Sequence, residues 1–555
     1  MKKILSIILA SVALSSCVDT VILPENKILD EDYWQKESEV NAVVAQAYNQ
    51  LRDESVIRNM IVWSDFRSDE LTISSDFKTI EAYTNDLSEI YSWNIKQTNS
   101  FTGWARFYSC INYCNLVLKK AAGVMELDPD YTIGSYQTTI AQVKALRAFC
   151  YFYLVRVFRD IPVTADAFMN ASDDMDLPQV APATVLAQCI ADLEEVESYA
   201  PQNNAYGDYR DRGFFNKDGI DALLADIYLW RASINHDAND YQKCIDYCDK
   251  IIAAKKAAHV IDERAIRPED REEKDYYLSS CLNFYNDIFG ESGQSAEESI
   301  LELQFKTDGK ANNALFQMYY GFRNNNSGFG YMKTTKYYGD YSNSSDPNNR
   351  NVFKANTDQR LYEYCYNAND GIDEHAVRKF IASSTAGDVT SKPAEKGARS
   401  YQKNWILYRL TDIMLMKAEA LVQLDKPEEA FELAKVVNAR AVSSGTSYLR
   451  YDRNAMEGMI LLERARELCF EGKRYFDLLR YNFRHMNGIQ YDKLLSEQSS
   501  FPANSEEFLG WVLAKYPDAT AMKSKLPDER YLYMPLNEDE LKVNTALIQN
   551  SAYNK

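Results

Sequence analysis

Two kinds of side chain in this sequence have the type and spacing to do chemistry. One is a single thiol placed for acylation. The other is a set of aromatic rings grouped with Asn, Asp and Arg. Cys17 closes the run Leu14-Ser15-Ser16-Cys17, behind the basic start Met1-Lys2-Lys3 and an apolar stretch from Ile4 to Leu14. A charged start, an apolar segment too short to span a bilayer and small residues before a cut describe a secretory signal. A cysteine directly after those small residues is the pattern on which bacteria attach lipid to sulfur, cleave before it and acylate the new amino terminus. Each buried methylene contributes roughly 0.8 kcal/mol of membrane affinity, so several chains on one residue anchor a domain durably. Residues 1–16 read as the signal and 17–35 as a lipidated tether; the plainer alternative is an ordinary cleaved signal that contains a cysteine.

The rings point to a different chemistry. The chain has 39 Tyr and 7 Trp, more than helical packing requires. Such rings offer flat apolar faces, with a polar handle on Tyr and Trp. A sugar ring presents an apolar C–H face surrounded by hydroxyls. An aromatic stacked on that face, with Asn, Asp or Arg serving the hydroxyls, holds a glycan, and selectivity follows from where the polar partners sit. Two regions carry this combination. The first, ahead of Trp104, has Tyr83, Tyr91, Trp93 and Asn94, near Asp65, Arg67 and Asp69. The second runs through Tyr319, Tyr320, Phe322, Arg323, Asn324 and Asn325 to Tyr337, Tyr338 and Tyr341. For each ring, the competing reading is that it packs its own loop. An open cradle of this kind binds at about 10 µM to 1 mM, roughly −7 to −4 kcal/mol.

Other chemistries find little support. The four histidines, His236, His259, His375 and His485, are scattered, so no metal set is expected. There is no His-Glu-x-x-His motif, no Gly-x-Ser-x-Gly elbow and no phosphate-cradling glycine loop. A glycosidase needs only two well-spaced carboxylates, and 81 acidic residues leave such a pair open. A net charge of −19 argues against nucleic acid, where clustered Lys and Arg supply the affinity. Ten cysteines include Cys17; of the rest, Cys110, Cys114, Cys244 and Cys248 sit in helical text and read as small core hydrophobes. After Cys17 no apolar run reaches the ~18–20 residues of a membrane helix.

The elements that must position the rings are mostly helices. Trp104, Tyr108, Ile111 and Asn115 share one helical face, and Ile140 to Phe158 becomes apolar nearly all round, as a deeply buried helix does. Arg159-Asp160-Ile161-Pro162 should stop it, because proline disfavours helical geometry in its predecessor. Further helices are expected over Pro182 to Tyr199, Gly219 to Ile234 and Tyr241 to Ala254. Asp221 to Leu229 followed by Tyr241 to Ile245, and Arg409 to Leu424 followed by a helix to Arg440, have the rhythm of tetratricopeptide helix pairs. Glu298 to Phe305 alternates like a short strand. Ile460 to Tyr481 reads as one helical packing face in which Glu463 pairs with Arg466 and Glu471 with Arg474. The fold class expected is mainly α: a tetratricopeptide-like scaffold with a loop-rich central and C-terminal region and a few short strands. Its divisions are a helical region over 36–260 and a second over 261–555, the latter with a loop-rich insertion at 306–400.

Four blocks after Cys17 carry a resemblance. They are Ala145-Leu146-Arg147-Ala148-Phe149-Cys150-Tyr151-Phe152-Tyr153-Leu154-Val155-Arg156 with Asp160-Ile161-Pro162; Arg409 to Ala420; Glu463-Arg464-Ala465-Arg466-Glu467-Leu468-Cys469-Phe470-Glu471-Gly472-Lys473-Arg474-Tyr475-Phe476-Asp477-Leu478; and Met534-Pro535-Leu536-Asn537 with Glu540 and Asn544 to Asn550. In this order the chain resembles the SusD/RagB family of outer-membrane nutrient-binding lipoproteins over essentially its full length. It departs at Arg159, where the family usually has glycine, at Asp412 in place of glutamate, and at Thr545 in place of proline. The resemblance implies a cell-surface, lipid-anchored protein of the outer membrane that captures oligosaccharide and delivers it to a SusC-like TonB-dependent barrel. It implies no catalytic residue and no cofactor, and aromatics on N-terminal and central loops as the site. Its rivals are the same architecture carrying peptides, as in RagB-like members, a glycan-degrading enzyme, and a structural subunit that binds nothing.

Overall fold

The computed structural model describes residues 33–74, 83–170, 173–258, 276, 278–279, 284–289, 297–305, 312–319, 330–339, 351–354, 357–365, 377–380, 402–486, 505–516 and 518–554. Cys17, the residue expected to carry lipid, lies outside them, as do Tyr320, Phe322, Arg323, Asn324, Asn325 and Tyr341.

Helices stack in succession. Helix α1 (Glu37–Leu51) is followed by α2 (Glu54–Ile61), which Asp53 caps by accepting from the Ser55 amide at 2.9 Å. After α3 (Thr84–Tyr91) come the long helices α4 (Ala105–Leu127) and α5 (Ile133–Phe158), then α6 (Pro182–Val196). The pairs expected from the sequence are present as α7 (Lys217–Asn235) with α8 (Ala238–Ala258), and α10 (Leu410–Gln423) with α11 (Pro427–Ala441), after a short α9 (Asn313–Tyr319). Although far apart in the chain, these pairs are neighbours, because α8 packs on α10. Helix α5 ends where its sequence says. Arg159 sits at φ 70° and ψ −77°, in a γ-turn closed by the Asp160 amide on the Phe158 carbonyl at 3.1 Å. A side chain in that region is strained, a cost that glycine would not carry.

The signature segment is not one helix. It forms α12 (Met456–Leu468) and α13 (Arg474–His485), separated by a turn in which Phe470 and Gly472 take φ 64° and 77°. A Cβ on Gly472 would meet the Trp405 ring at 3.2 Å, so glycine answers both the angle and the space. The break changes the ion pairs. Glu463 does pair with Arg466 at 2.8 Å, but Glu471 turns to Arg409 (2.8 Å) and Lys379, while Arg474 reaches Asp69 at 2.7 Å. Glu467 receives Arg360 (2.9 Å), Arg409 (2.6 Å) and Arg440, all four side chains fully buried. Burial pushes the Glu467 carboxyl up, yet the three guanidiniums outweigh it and hold the group well below the usual carboxylate range. This network ties the central insertion to the helical stack. The cysteines of α4, α5, α6 and α8 are free and buried among these helices, as core hydrophobes.

The described strands form three two-stranded antiparallel ribbons: β1 (Leu71–Ile73) with β5 (Met332–Thr334), β2 (Ile161–Pro162) with β3 (Gln179–Val180), and β4 (Ser299–Leu303) with β6 (Trp405–Arg409). Strand β4 falls inside the stretch whose alternation announced it.

Candidate ligand-binding site

The first ribbon joins the two aromatic regions picked out by sequence. Leu71 faces Thr334 and Ile73 faces Met332, and the Ser74 amide continues the ladder by donating to the Tyr331 carbonyl at 3.2 Å. At the other end, the Thr335 hydroxyl and amide donate to the carbonyls of Asp69 (2.7 Å) and Glu70 (2.8 Å). Gly330 makes the close approach possible: a Cβ there would lie 2.4 Å from the Gln317 carbonyl oxygen. Ser74 and Tyr331 therefore mark one end of this ribbon. At that end stands Tyr83, half-buried, with φ 62°. Its hydroxyl accepts from Arg58 Nη1 at 3.1 Å, and the Arg58 guanidinium lies 5.3 Å from its ring centre. Arg58 Nη2 donates to Glu54 (2.7 Å) and Gln317 (2.6 Å), so the fork is fixed on three sides. Tyr331 meets the Tyr83 ring edge-on at 5.9 Å. Arg58, Gln317 and Tyr331 were missed by sequence reasoning. No short sequence pattern marks Arg58, because its partner Gln317 lies 259 positions further along the chain.

Several candidate residues are interior, which corrects their reading as ring platforms. Trp93 is 1% exposed; its indole N–H donates to the Tyr516 hydroxyl at 2.9 Å and Arg67 lies over its ring at 4.9 Å. Arg67 is itself buried between Trp93 and Tyr475, donating to the carbonyls of Tyr531 (3.1 Å) and Leu532 (2.9 Å). Asp69 is fully buried in a two-pronged pair with Arg474. Tyr319, Tyr337 and Tyr338 are buried as well: Tyr319 lies parallel to Phe380 at 6.4 Å, Tyr337 donates to the Ala514 carbonyl at 3.2 Å, and Tyr338 packs on Phe470. The physical reason is the size of the apolar gain: burying a large side chain is worth about 1.5–3 kcal/mol, and these rings find partners far along the chain. Of the described candidates, Tyr83, Tyr91 and Asn94 keep access to solvent. Tyr91 leans on Tyr516 at 4.7 Å, and Asn94 accepts from Lys525 at 3.3 Å.

Beneath the ribbon is a knot of carboxyls. Helix α2 runs into a π-turn, Val62–Phe66, which turns Asp65 inward. Asp65 Oδ2 accepts from the Gly472 amide (2.9 Å) and faces the Tyr319 hydroxyl at 3.5 Å; Glu70 Oε2 accepts from the Phe470 amide (3.0 Å). Both acids are fully buried, and each has one oxygen without a hydrogen-bond partner. Burial lifts Asp65 to about 7, against the Gly472 hydrogen bond. Burial, then the neighbouring Asp65, raise Glu70 well above the usual range. Lys515 Nζ, which donates to the carbonyls of Phe66 and Leu71, is pulled down by burial to about 7. This knot positions β1; its carboxyls are fully buried, while Lys515 is partly exposed. Among the described residues no group of His, Cys, Asp and Glu is arranged to hold a metal, and no helix is long and apolar enough to cross a membrane.

The fold is thus a stack of tetratricopeptide-like helix pairs in which one ribbon joins the N-terminal and central regions. The chain belongs to the SusD family: the profile described as "SusD family" matches residues 373–553, and one described as "Starch-binding associating with outer membrane" matches 24–229. It is 27% identical over 515 residues to SusD-like protein P38 of Formosa agariphila, covering 87% of this chain and 92% of that one. Its fold is similar to a SusD superfamily protein of Bacteroides vulgatus (TM-score 0.67, 17% identity, 94% of this chain and 99% of that one). It is also similar to surface glycan-binding protein A of Bacteroides thetaiotaomicron in complex with laminarihexaose (TM-score 0.64, 18% identity, 93% and 100%).

Proposed function

We propose that this protein captures oligosaccharide beside Tyr83, at the Ser74–Tyr331 end of the β1–β5 ribbon, and passes it to a SusC-like TonB-dependent barrel in the outer membrane. The observation that carries the reading is the ribbon itself. It brings the N-terminal and central regions to one place and leaves Tyr83, braced by Arg58, half-buried there with part of its ring accessible. A braced ring supplies a stacking face, and Arg58, Glu54 and Gln317 supply planar polar groups for hydroxyls. A relative of like fold, in complex with laminarihexaose, supports a glycan as the ligand class. Tyr91 and Asn94 keep access to solvent and extend the proposed cradle. Acyl chains on Cys17 would hold the domain on the cell surface. Capture of this kind needs no catalytic group and no cofactor.

Isothermal titration of the protein beginning at Val18 tests the reading, with laminarihexaose, maltohexaose and a tryptic peptide digest as probes. A glycan should bind at about 10 µM to 1 mM. Tyr83→Ala should weaken that binding about tenfold or more, the equivalent of about 1.4 kcal/mol. Binding of peptides alone would replace glycan by peptide as the cargo. No binding of either would leave a structural subunit.

A further inference from the structure

We infer that a second carbohydrate platform lies on the segment between α6 and α7, built from Tyr206, Tyr209, Arg210 and Phe214 and edged by Asn204 and Asp208. It rests on the glycan reading above and adds a separate site to it. Three rings gather here at the surface. Tyr209 is 40% exposed, and Tyr206 and Phe214 are partly exposed. Tyr209 stands edge-on against Phe214 (6.1 Å, 86°), and Phe214 lies flat on buried Tyr48 (4.1 Å, 1°). The outermost ring is thus held at a set angle by a column rooted in α1, and its exposure costs hydration that the column alone does not recover.

The loop beneath is preorganised. Asn204 and Gly207 take φ 59° and 68°, and the Asp211 carboxylate accepts from the amides of Tyr206 (2.9 Å) and Gly207 (2.8 Å). Gly213 lies so close to β4 that a Cβ would come 2.7 Å from the Gln304 side chain, which pins the following turn. Polar groups are set beside the rings. The Arg210 guanidinium lies 4.4 Å over the Tyr206 ring and is forked by Asp208 at 2.7–3.1 Å. Because that pair closes its charges on itself, the patch offers oriented donors and acceptors with little net charge. This suits the hydroxyls and C–H faces of a neutral sugar better than a charged peptide. Fixed rings and a fixed loop also lower the ordering cost of binding.

Two sites on one chain gain avidity for a polymer that spans them. The test is retardation in native gels containing laminarin, starch or xylan, comparing the wild-type protein with Tyr83→Ala, the Tyr209→Ala/Arg210→Ala double variant and Tyr209→Phe. The double variant should lose about tenfold in polymer affinity, Tyr209→Phe should keep it, and adding Tyr83→Ala to the double variant should abolish retardation. Unchanged melting by circular dichroism confirms folding of these surface variants. A wild-type protein retarded by no polysaccharide overturns the glycan reading itself. A retarded wild type with an equally retarded double variant overturns the second platform alone. The same holds if the double variant keeps its retardation but loses co-purification with an outer-membrane barrel, which makes the patch a protein interface.

Discussion

Replacing Asp65 by asparagine should change how stability depends on pH. Asp65 is fully buried, accepts from the Gly472 amide at 2.9 Å and is lifted by burial from 3.8 to about 7. Its folded pKa lies above its unfolded one. The stability it contributes is therefore present in full below about pH 4 and drains away as pH rises toward 7, where the folded protein must finally release the proton. A separation of about three pH units at 1.36 kcal/mol per unit gives a loss on the order of 4 kcal/mol. Asparagine keeps an acceptor for Gly472, adds a donor that can face Glu70 or Tyr319, and does not titrate. Glu70 shares the enclosure, so Asp65→Asn also eases the charge on its neighbour. Thermal unfolding at pH 5, 6, 7 and 8 reads the effect. For a chain of 555 residues, about 4 kcal/mol corresponds to roughly 3 °C in Tm. About two of those three units lie above pH 5, so between pH 5 and pH 8 the wild type should fall behind the variant by about 3 kcal/mol, roughly 2 °C in Tm. Parallel melting curves across the whole range would refute the claim that a buried, unpaired carboxyl locks the 470–472 turn.

Two further substitutions test the interior. Trp93→Ala should destabilise the protein by about 3–5 kcal/mol, seen as a lower urea midpoint, and any surviving folded protein should bind glycan as well as the wild type; selective loss of binding at full stability would restore Trp93 as a platform. Glu467→Gln leaves Arg360, Arg409 and Arg440 facing an uncharged group in a buried site, so unfolding free energy should drop by about 3–5 kcal/mol, whereas a drop below ~1 kcal/mol, the range of exposed pairs, would mean that the network is wet.

Much of the frame was legible because helices announce themselves locally. The near-continuous apolar text of Ile140 to Phe158 and the stop at Asp160-Ile161-Pro162 mark the body and end of α5, although its start at Ile133, seven residues earlier, lies in more polar text. The repeat rhythm of α7–α8 and α10–α11 is likewise a property of short windows. The signature segment shows where this fails. Its spacing suggested one helix, but Gly472 had to approach Trp405, and Glu471 found Arg409, so the helix broke and the ion pairs regrouped.

What the sequence determined by itself was the helical scaffold and the abundance of rings among polar residues. Which rings face outward was decided only by tertiary structure. Tyr83 and Trp93 stand ten positions apart in similar text, and no local pattern separates them. Tyr516 and Arg67 close over Trp93, whereas Arg58 and Gln317 brace Tyr83 from the side and leave it half open. Burial is fixed by partners hundreds of residues away, so it depends on how the chain returns to itself. The Tyr206–Phe214 patch is the converse case: ordinary loop text whose exposed rings appear only once α1 and β4 are packed beneath it.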